Sequence, residues 1–346
     1  MAQLEQPQEK GIEKVKKLKI VAAMSLVGLA LSGCAAADAP TASGELQTVN
    51  VGHVQLAIFS PLYVAEAKGY FEDEGIELKL EAIKSGQDAV PLAASGKLDV
   101  VVSGFSAGLF SAVETGLDVK VVGSMGVSAG DEEEPPSALI AAKKLVDDDT
   151  ITDVADLEGR KIAVAGGAGG TGAFYVGMAL EEAGLSITDV ELVTLGNPDM
   201  PTALANGSID AAFASAPFWN MPVEDGTAVS LWTTPTGTSG TGVIYGGDFA
   251  GSELAQKFFT ALTRGAQDLQ GDDRYTDENL AIIGAATGQT AEQVAAVPLY
   301  RWLPDLAPLP KQLSAMERMW MELGAIVYTD PIPEADYVDA TFAQNS

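Results

Sequence analysis

Residues 48–123 read TVNVGHVQLAIFSPLYVAEAKGYFEDEGIELKLEAIKSGQDAVPLAASGKLDVVVSGFSAGLFSAVETGLDVKVVG. Short β-rich runs alternate here with stretches of helical character. Residues 48–54 read as a strand. Ser60 is placed to cap a helix, Pro61 suits its first turn, where an amide hydrogen has no partner in any case, and Gly69 suits its end. Residues 76–82 are the next expected strand, and 88–94 a helix closed by Gly96. Residues 98–103 form an apolar run, as for a strand buried on both faces. Ser106 then opens a helix closed by Gly116, and 119–123 is again a strand.

The alternation breaks at 128–136, which contains Asp131-Glu132-Glu133-Glu134, and then resumes. Strands are expected at 138–142, 160–165, 190–195, 209–214 and 230–233. Helices are expected at 153–157, 172–183 and 200–205. A second break, 235–242, is rich in Gly, Thr and Ser, and beyond Phe249 the chain reads as mainly helical. This order argues for an α/β fold of two lobes with largely parallel sheets. The two breaks are candidate hinges. Open α/β sheets bind ligands at the C-terminal ends of their strands, so two facing lobes make a cleft.

The chain has 346 residues, 47% of them hydrophobic, enough for a large core, and its formal net charge is −28. Such a surface repels nucleic acid, which excludes that class of partner. The N-terminus carries a different signal. Lys14, Lys16, Lys17 and Lys19 precede an apolar run at 20–31, which is followed by Leu31-Ser32-Gly33-Cys34. Twelve residues are too few to cross about 30 Å of hydrocarbon as a helix. The order matches a secretory signal peptide, and the tetrapeptide resembles the bacterial lipobox, whose cysteine receives diacylglycerol. The expectation is a signal peptide at 1–33, lipidation at Cys34, and a small, polar tether at 34–46. Cys34 is the only cysteine, so no internal disulfide is expected.

Six stretches carry a family resemblance. Val51-Gly52, then residues 61–71 (PLYVAEAKGYF) and 74–78 (EGIEL), resemble the opening of the nitrate/sulfonate/taurine and thiamine-precursor (pyrimidine) binding proteins of ABC transporters. Residues 92–100 (LAASGKLDV) resemble their helix-Gly-Asp-strand step, and 156–164 (DLEGRKIAV) the start of their second lobe. Residues 199–211 (DMPTALANGSIDA) resemble a repeat of the helix-Gly-Asp step. The resemblance implies a periplasmic-binding-protein-like fold of the two-crossover type, with lobe one at 47–134 and 235–346 and lobe two at 135–234. It implies an extracellular solute receptor of an ABC importer that works with permease and ATPase subunits. The expected form is a monomer held at the outer face of the cell membrane by the lipid on Cys34. An enzyme on the same scaffold, acting on a pyrimidine or a sulfur compound, is the competing reading. It is disfavoured because Cys34 is committed to lipid and a single histidine leaves no legible catalytic set.

Gly167-Ala168-Gly169-Gly170-Thr171-Gly172 matches the spacing of a dinucleotide loop. No acidic residue ends a strand about 20 residues later, and no Gly-Lys-Ser/Thr follows, so neither a dinucleotide nor a P-loop cofactor is expected. The stretch is either a polar-group site at a helix N-terminus, with Thr171 and Gly172, or a plain tight turn. His53, the only histidine, has no metal-ligating companion, so no metal is expected. It lies either in the cleft beside Gln55 and Phe59 or in the core. The acidic run 131–134 lacks the alternating spacing of a calcium loop. The residues expected to line the site are His53, Gln55, Phe59, Ser85, Phe105, Ser106, Thr171, Gly172, Phe218 and Trp219, with Phe174 and Tyr175 as further aromatics near the cleft. Lys84 is the one basic residue in an expected cleft loop. That scarcity favours a neutral aromatic or heterocyclic solute, or an anion held by backbone amides, over a sulfonate or nitrate gripped by an Arg or Lys fork.

Overall fold

The β-branched runs form strands as their composition demands. In this computed structural model, which describes residues 46–130 and 135–346, β1 (Gln47–His53) pairs in parallel with β2 (Ile76–Ala82) and β3 (Val100–Gly104). β4 (Val119–Ser124) and β10 (Thr241–Gly246) complete a five-stranded sheet of order β2-β1-β3-β10-β4. A second five-stranded sheet contains β5 (Ser137–Ala142), β6 (Lys161–Val164), β7 (Glu191–Thr194), β8 (Ala211–Ser215) and β9 (Ala228–Thr233), in the order β7-β6-β8-β5-β9. The expected signal peptide, Cys34 and the acidic run 131–134 lie outside the described residues, as does all of the tether before Leu46.

Each sheet departs from the largely parallel expectation in one strand. β10 runs antiparallel to β3 and β4, and β5 antiparallel to β8 and β9. These are the two strands the chain enters as it passes from one sheet to the other. β4 ends on the side where the parallel strands have their C-termini. The chain crosses there and can only run back through the other sheet in the opposite sense. From the sequence, Thr241 and Gly242 fall in the second break and no strand is expected over 243–246. All six residues of β10 are buried, and Gly242 is there for close approach: a Cβ on it would collide with the Phe105 ring.

The repeated helix-Gly-Asp step has a structural explanation. Gly96 and Gly207 take φ values of +67° and +74°, the left-handed conformation that closes a helix and that a side chain disfavours. Three residues later, Asp99 Oδ2 accepts from Asn50 N at 2.7 Å and Asn50 Nδ2 at 2.9 Å, while Asp210 Oδ2 accepts from Lys161 N at 2.8 Å. Each carboxylate thereby pins a neighbouring parallel strand, at the middle of β1 in the first sheet and at the first residue of β6 in the second. The step recurs because each sheet must set the same register, and it lies at the N-terminal ends of β3 and β8.

Two of the buried apolar clusters belong to one sheet each. In the first sheet's cluster, helix Ser60–Ala67 packs on helix Glu253–Gln267, whose fully buried Phe258 and Phe259 contribute about 1.5–3 kcal/mol apiece. A third cluster spans both sheets through helix Pro310–Glu322. Met319 of that helix fits against Gly177, where a Cβ would collide with it. Gln312 accepts from Ser239 N at 2.6 Å and donates to Gly237 O at 2.7 Å. No helix among the described residues is long and apolar enough to cross a membrane.

Candidate functional site

The C-terminal ends of the parallel strands of both sheets converge on one cavity of about 110 Å³. That is room for a solute of several heavy atoms, since a single water needs only about 10–15 Å³ on this measure. The first sheet supplies Val54, Leu56, Ile58 and Phe59 after β1, Lys84 to Gln87 after β2, and Gly104, Phe105 and Ser106 at the end of β3. The second supplies Ala165, Gly166 and Gly170 to Gly172 after β6, Asn197 after β7, and Phe213 and Ser215 on β8. Tyr175, Thr241 and Tyr300 close the wall.

The two sides touch across this cavity. Thr171 Oγ1 donates to Phe105 O at 2.8 Å, with Gly240 O at 3.2 Å, and Gly240 N donates to Tyr175 Oη at 2.6 Å. Ser106 and Gly170 form an antiparallel bridge. A Cβ on Gly104 or Gly240 would strike Thr171, so these glycines permit the approach. The two crossing segments are bonded to each other as well. Ser128 N donates to Thr238 O at 2.9 Å, Gly237 N to Ser128 O at 3.0 Å, and Ser128 Oγ to Thr234 O at 2.7 Å.

The lining is chiefly aromatic and apolar, with a few placed polar groups. Helix Thr171–Glu182 points its first turn at the cavity, where its leading amides have no intrahelical acceptor. Gly172 also lets that helix sit tightly on β6, since a Cβ there would lie 3.0 Å from Val164 Cβ. Ser106 Oγ is buried and has no hydrogen-bond partner. Burial pushes the Tyr175 phenol well up from its ordinary value and raises that of Tyr300, so both stay neutral. Lys84 is the one charged residue in the lining, which contains no His, Cys, Asp or Glu. Among the described residues no group of three or more His, Cys, Asp or Glu side chains is placed to hold a metal.

Of the residues expected from the sequence, Phe59, Ser85, Phe105, Ser106, Thr171 and Gly172 line this cavity, as do Lys84 and Tyr175. Four do not. His53 is buried in the first sheet, with Nδ1 3.2 Å from Tyr63 Oη; the Tyr63 hydroxyl donates to Val54 O at 2.9 Å, which assigns the imidazole as the donor. Burial pushes its pKa below the ordinary histidine value. Gln55 is exposed and turns away, its Nε2 3.5 Å from Ala286 O. Phe218 and Trp219 pack with Ala138, Ile140, Ala163 and Met200 on the opposite face of the second sheet. Side chains alternate along β8, so Phe213 faces the cavity while Ala212 and Ala214 face that other layer, and the turn after Ser215 lays Trp219 on their side. Phe174 is likewise core.

Among the lining residues that escaped the sequence reading, five bear on the site's chemistry or shape. Asn197 and Ser215 stand at strand ends and were legible by position; Asn197 Oδ1 accepts from Ser215 N at 3.1 Å and ties those two loops together. Gln87 accepts from Gly108 N at 3.1 Å. Phe213 looked like strand core, and Tyr300 lies in the C-terminal region, where no local pattern points to a cleft.

Comparison with known proteins bears on this arrangement. The fold is shared with the alkanesulfonate-binding protein SsuA from Xanthomonas axonopodis pv. citri, solved with MOPS. That pair has a TM-score of 0.64 and 17% identity over 86% of this chain and 100% of the other. The periplasmic nitrate-binding protein NrtA from Synechocystis PCC 6803 superposes with a TM-score of 0.71 and 12% identity, covering 87% and 88% of the two chains. The desulfurization enzyme DSZB is also similar, with a TM-score of 0.56 and 14% identity over 86% and 98%. These likenesses establish a periplasmic-binding-protein-like fold. No curated protein sequence matches the chain. The family profile described as "NMT1/THI5 like" matches residues 57–273, which hold most of the cavity wall and both crossing segments. With more than half of its length matched in this way, the chain belongs to the NMT1/THI5-like family.

Proposed function

We propose that this protein is the solute-binding receptor of an ABC importer, acting outside the cytoplasm and catalysing nothing itself. Residues 47–134 with 235–346 form one lobe and 135–234 the other, and the segments joining β4 to β5 and β9 to β10 are the hinges about which they close. The observation that carries the reading is the buried, unpartnered Ser106 hydroxyl in an aromatic cavity where loops of both sheets meet. A buried hydroxyl without a partner costs about 1–3 kcal/mol, and a solute's polar group placed against it recovers that cost. Phe59, Ser85, Phe105, Ser106, Thr171 and Gly172 are the ligand contacts proposed. The solute is small and organic. It is neutral and flat, or an oxyanion of the sulfonate, taurine or nitrate kind held by the amides of the helix starting at Thr171, with Lys84 at the rim. The named relatives that bind alkanesulfonate and nitrate support this class. Paired nucleophile and base are missing from the lining, which favours binding over turnover. Anchoring at the membrane through lipid on Cys34 completes the proposal, and permease and ATPase subunits are its partners.

The test is a thermal-shift screen of the purified protein against nitrate, sulfonates, taurine, pyrimidines and aromatic acids. A true ligand at a hundred times its dissociation constant adds about 2.7 kcal/mol. At about 2–4 °C per kcal/mol, that is a shift of roughly 5–10 °C. A bound solute that is chemically converted during the assay would replace the receptor reading with the enzymatic one.

A further inference from the structure

Behind the cavity lies a second, much smaller one of about 10 Å³, roughly the space of a single water. Leu56, Ile58, Ser215 and Tyr300 line both, so the two spaces are the sides of one wall. Beyond that wall the lining is largely apolar, with Val294, Val297, Pro298 and Leu299. The aromatic ring of Tyr300 is the largest side chain in the partition, and it is buried. Its hydroxyl donates to Pro136 O at 3.4 Å, and the hydroxyls of Ser137 and Ser215 also bond to it.

The backbone that carries Tyr300 is fixed on both sides. Leu299 N donates to Tyr275 Oη at 3.0 Å, and Arg301 exchanges two backbone hydrogen bonds with Val127, at 3.0 and 2.7 Å. The other wall is fixed too, because Trp302 Nε1 donates to Ile58 O at 2.9 Å. Gly126 lies against Tyr300 Cβ and Cγ, where a Cβ on the glycine would come within 2.9 Å. A buried ring with a fixed base and fixed surroundings is the element of this wall whose size keeps the two spaces apart.

We propose that Tyr300 sets the length of solute the protein accepts by walling off the apolar space behind it, which a smaller side chain at this position would open as a subsite for an apolar tail. This rests on the solute-binding reading above. A polar head sits among Ser106, Thr171 and Asn197, and an unbranched alkyl or aryl tail points at the tyrosine ring. With the ring in place a short tail fits. With a smaller side chain in its place, the tail runs on to Val297 and Leu299.

Two probe series decide it, straight-chain alkanesulfonates and straight-chain carboxamides from methyl to octyl, titrated by calorimetry against wild type, Tyr300→Phe and Tyr300→Ala. Wild type and Tyr300→Phe should share one length optimum, because both keep the ring. Tyr300→Ala should prefer longer chains and bind octyl probes at least tenfold tighter than wild type does. The same length profile in folded Tyr300→Ala overturns the proposal; if that variant does not fold, Tyr300→Leu takes its place with the same expected direction. A second readout needs no solute. Xenon in pressurised crystals of the truncated variant should occupy one continuous site from Phe59 to Val297. Two separate sites, or none behind the wall, refute the subsite. Should no probe bind wild type while xenon fills the joined space, the subsite stands and the assumed head-group chemistry of the receptor reading fails.

Discussion

Thr171→Val exchanges a hydroxyl for a methyl of nearly the same shape at the one side chain that bonds across the cavity to both Phe105 O and Gly240 O. Gly240 O keeps another donor, Phe105 N at 2.9 Å. Phe105 O loses the side-chain hydrogen bond that the described structure gives it. A buried carbonyl left unpaired costs about 1–3 kcal/mol. The cost falls on the arrangement in which the two sides meet, since the carbonyl and hydroxyl are apart and hydrated when the sheets separate. If solute is held only in the joined form, its affinity drops by the same amount, roughly 5- to 150-fold. The packing within each sheet is untouched, so the melting temperature of the solute-free protein should change by a few degrees at most. Calorimetry with a solute from the screen reads the affinity. Small-angle scattering reads the closure, where wild type should shrink with solute and Thr171→Val should need more solute to do so. Wild-type affinity and wild-type scattering in the folded valine variant would refute the idea that this contact latches the two sides.

Trp219→Ala should destabilise the protein without touching the site. The indole is 6% exposed among the second sheet's core residues, so its loss should cost about 3–5 kcal/mol, or roughly 6–20 °C, with affinity per folded molecule unchanged; a loss of affinity instead returns Trp219 to the cavity. Asp268 is pushed up by partial burial but pulled further down by hydrogen bonds from Tyr70 Oη at 2.5 Å and Lys68 Nζ at 2.9 Å, leaving its carboxyl below the usual range. Its stabilisation is therefore complete above the ordinary carboxylate value of about 3.9 and lost as pH falls through the lower folded value. Asp268→Asn should lower stability at neutral pH and flatten the acid limb of a melting-temperature profile, and an unchanged profile would count against the network. Cys34→Ala should abolish fatty-acid labelling and release the protein from membranes; a variant still processed and membrane-bound like wild type removes Cys34 as the anchor.

The α/β alternation, most strand positions and the helix-Gly-Asp repeat were legible along the chain, because each is a local pattern of apolar period, helix cap and turn residue. So was the half of the site that follows strand ends, from Phe59 to Gly172, since the C-terminal ends of parallel strands always converge. Three matters belonged to the tertiary structure. β10 is buried on every residue yet begins inside a Gly-, Thr- and Ser-rich break, because Gly242 answers to a ring approaching from Phe105, a contact from 137 residues away in sequence. Phe218 and Trp219 have the composition of pocket walls, but which face of β8 they reach depends on how the chain turns after Ser215. Tyr300 comes from a region with no strand of either sheet, and reaches the cavity only because Val127 and Tyr275 hold its neighbours there. Local sequence fixes where the backbone must be helix or strand through interactions a few residues long. The side of a sheet that a ring meets is set by contacts a hundred residues or more apart, and one turn of the chain reverses it.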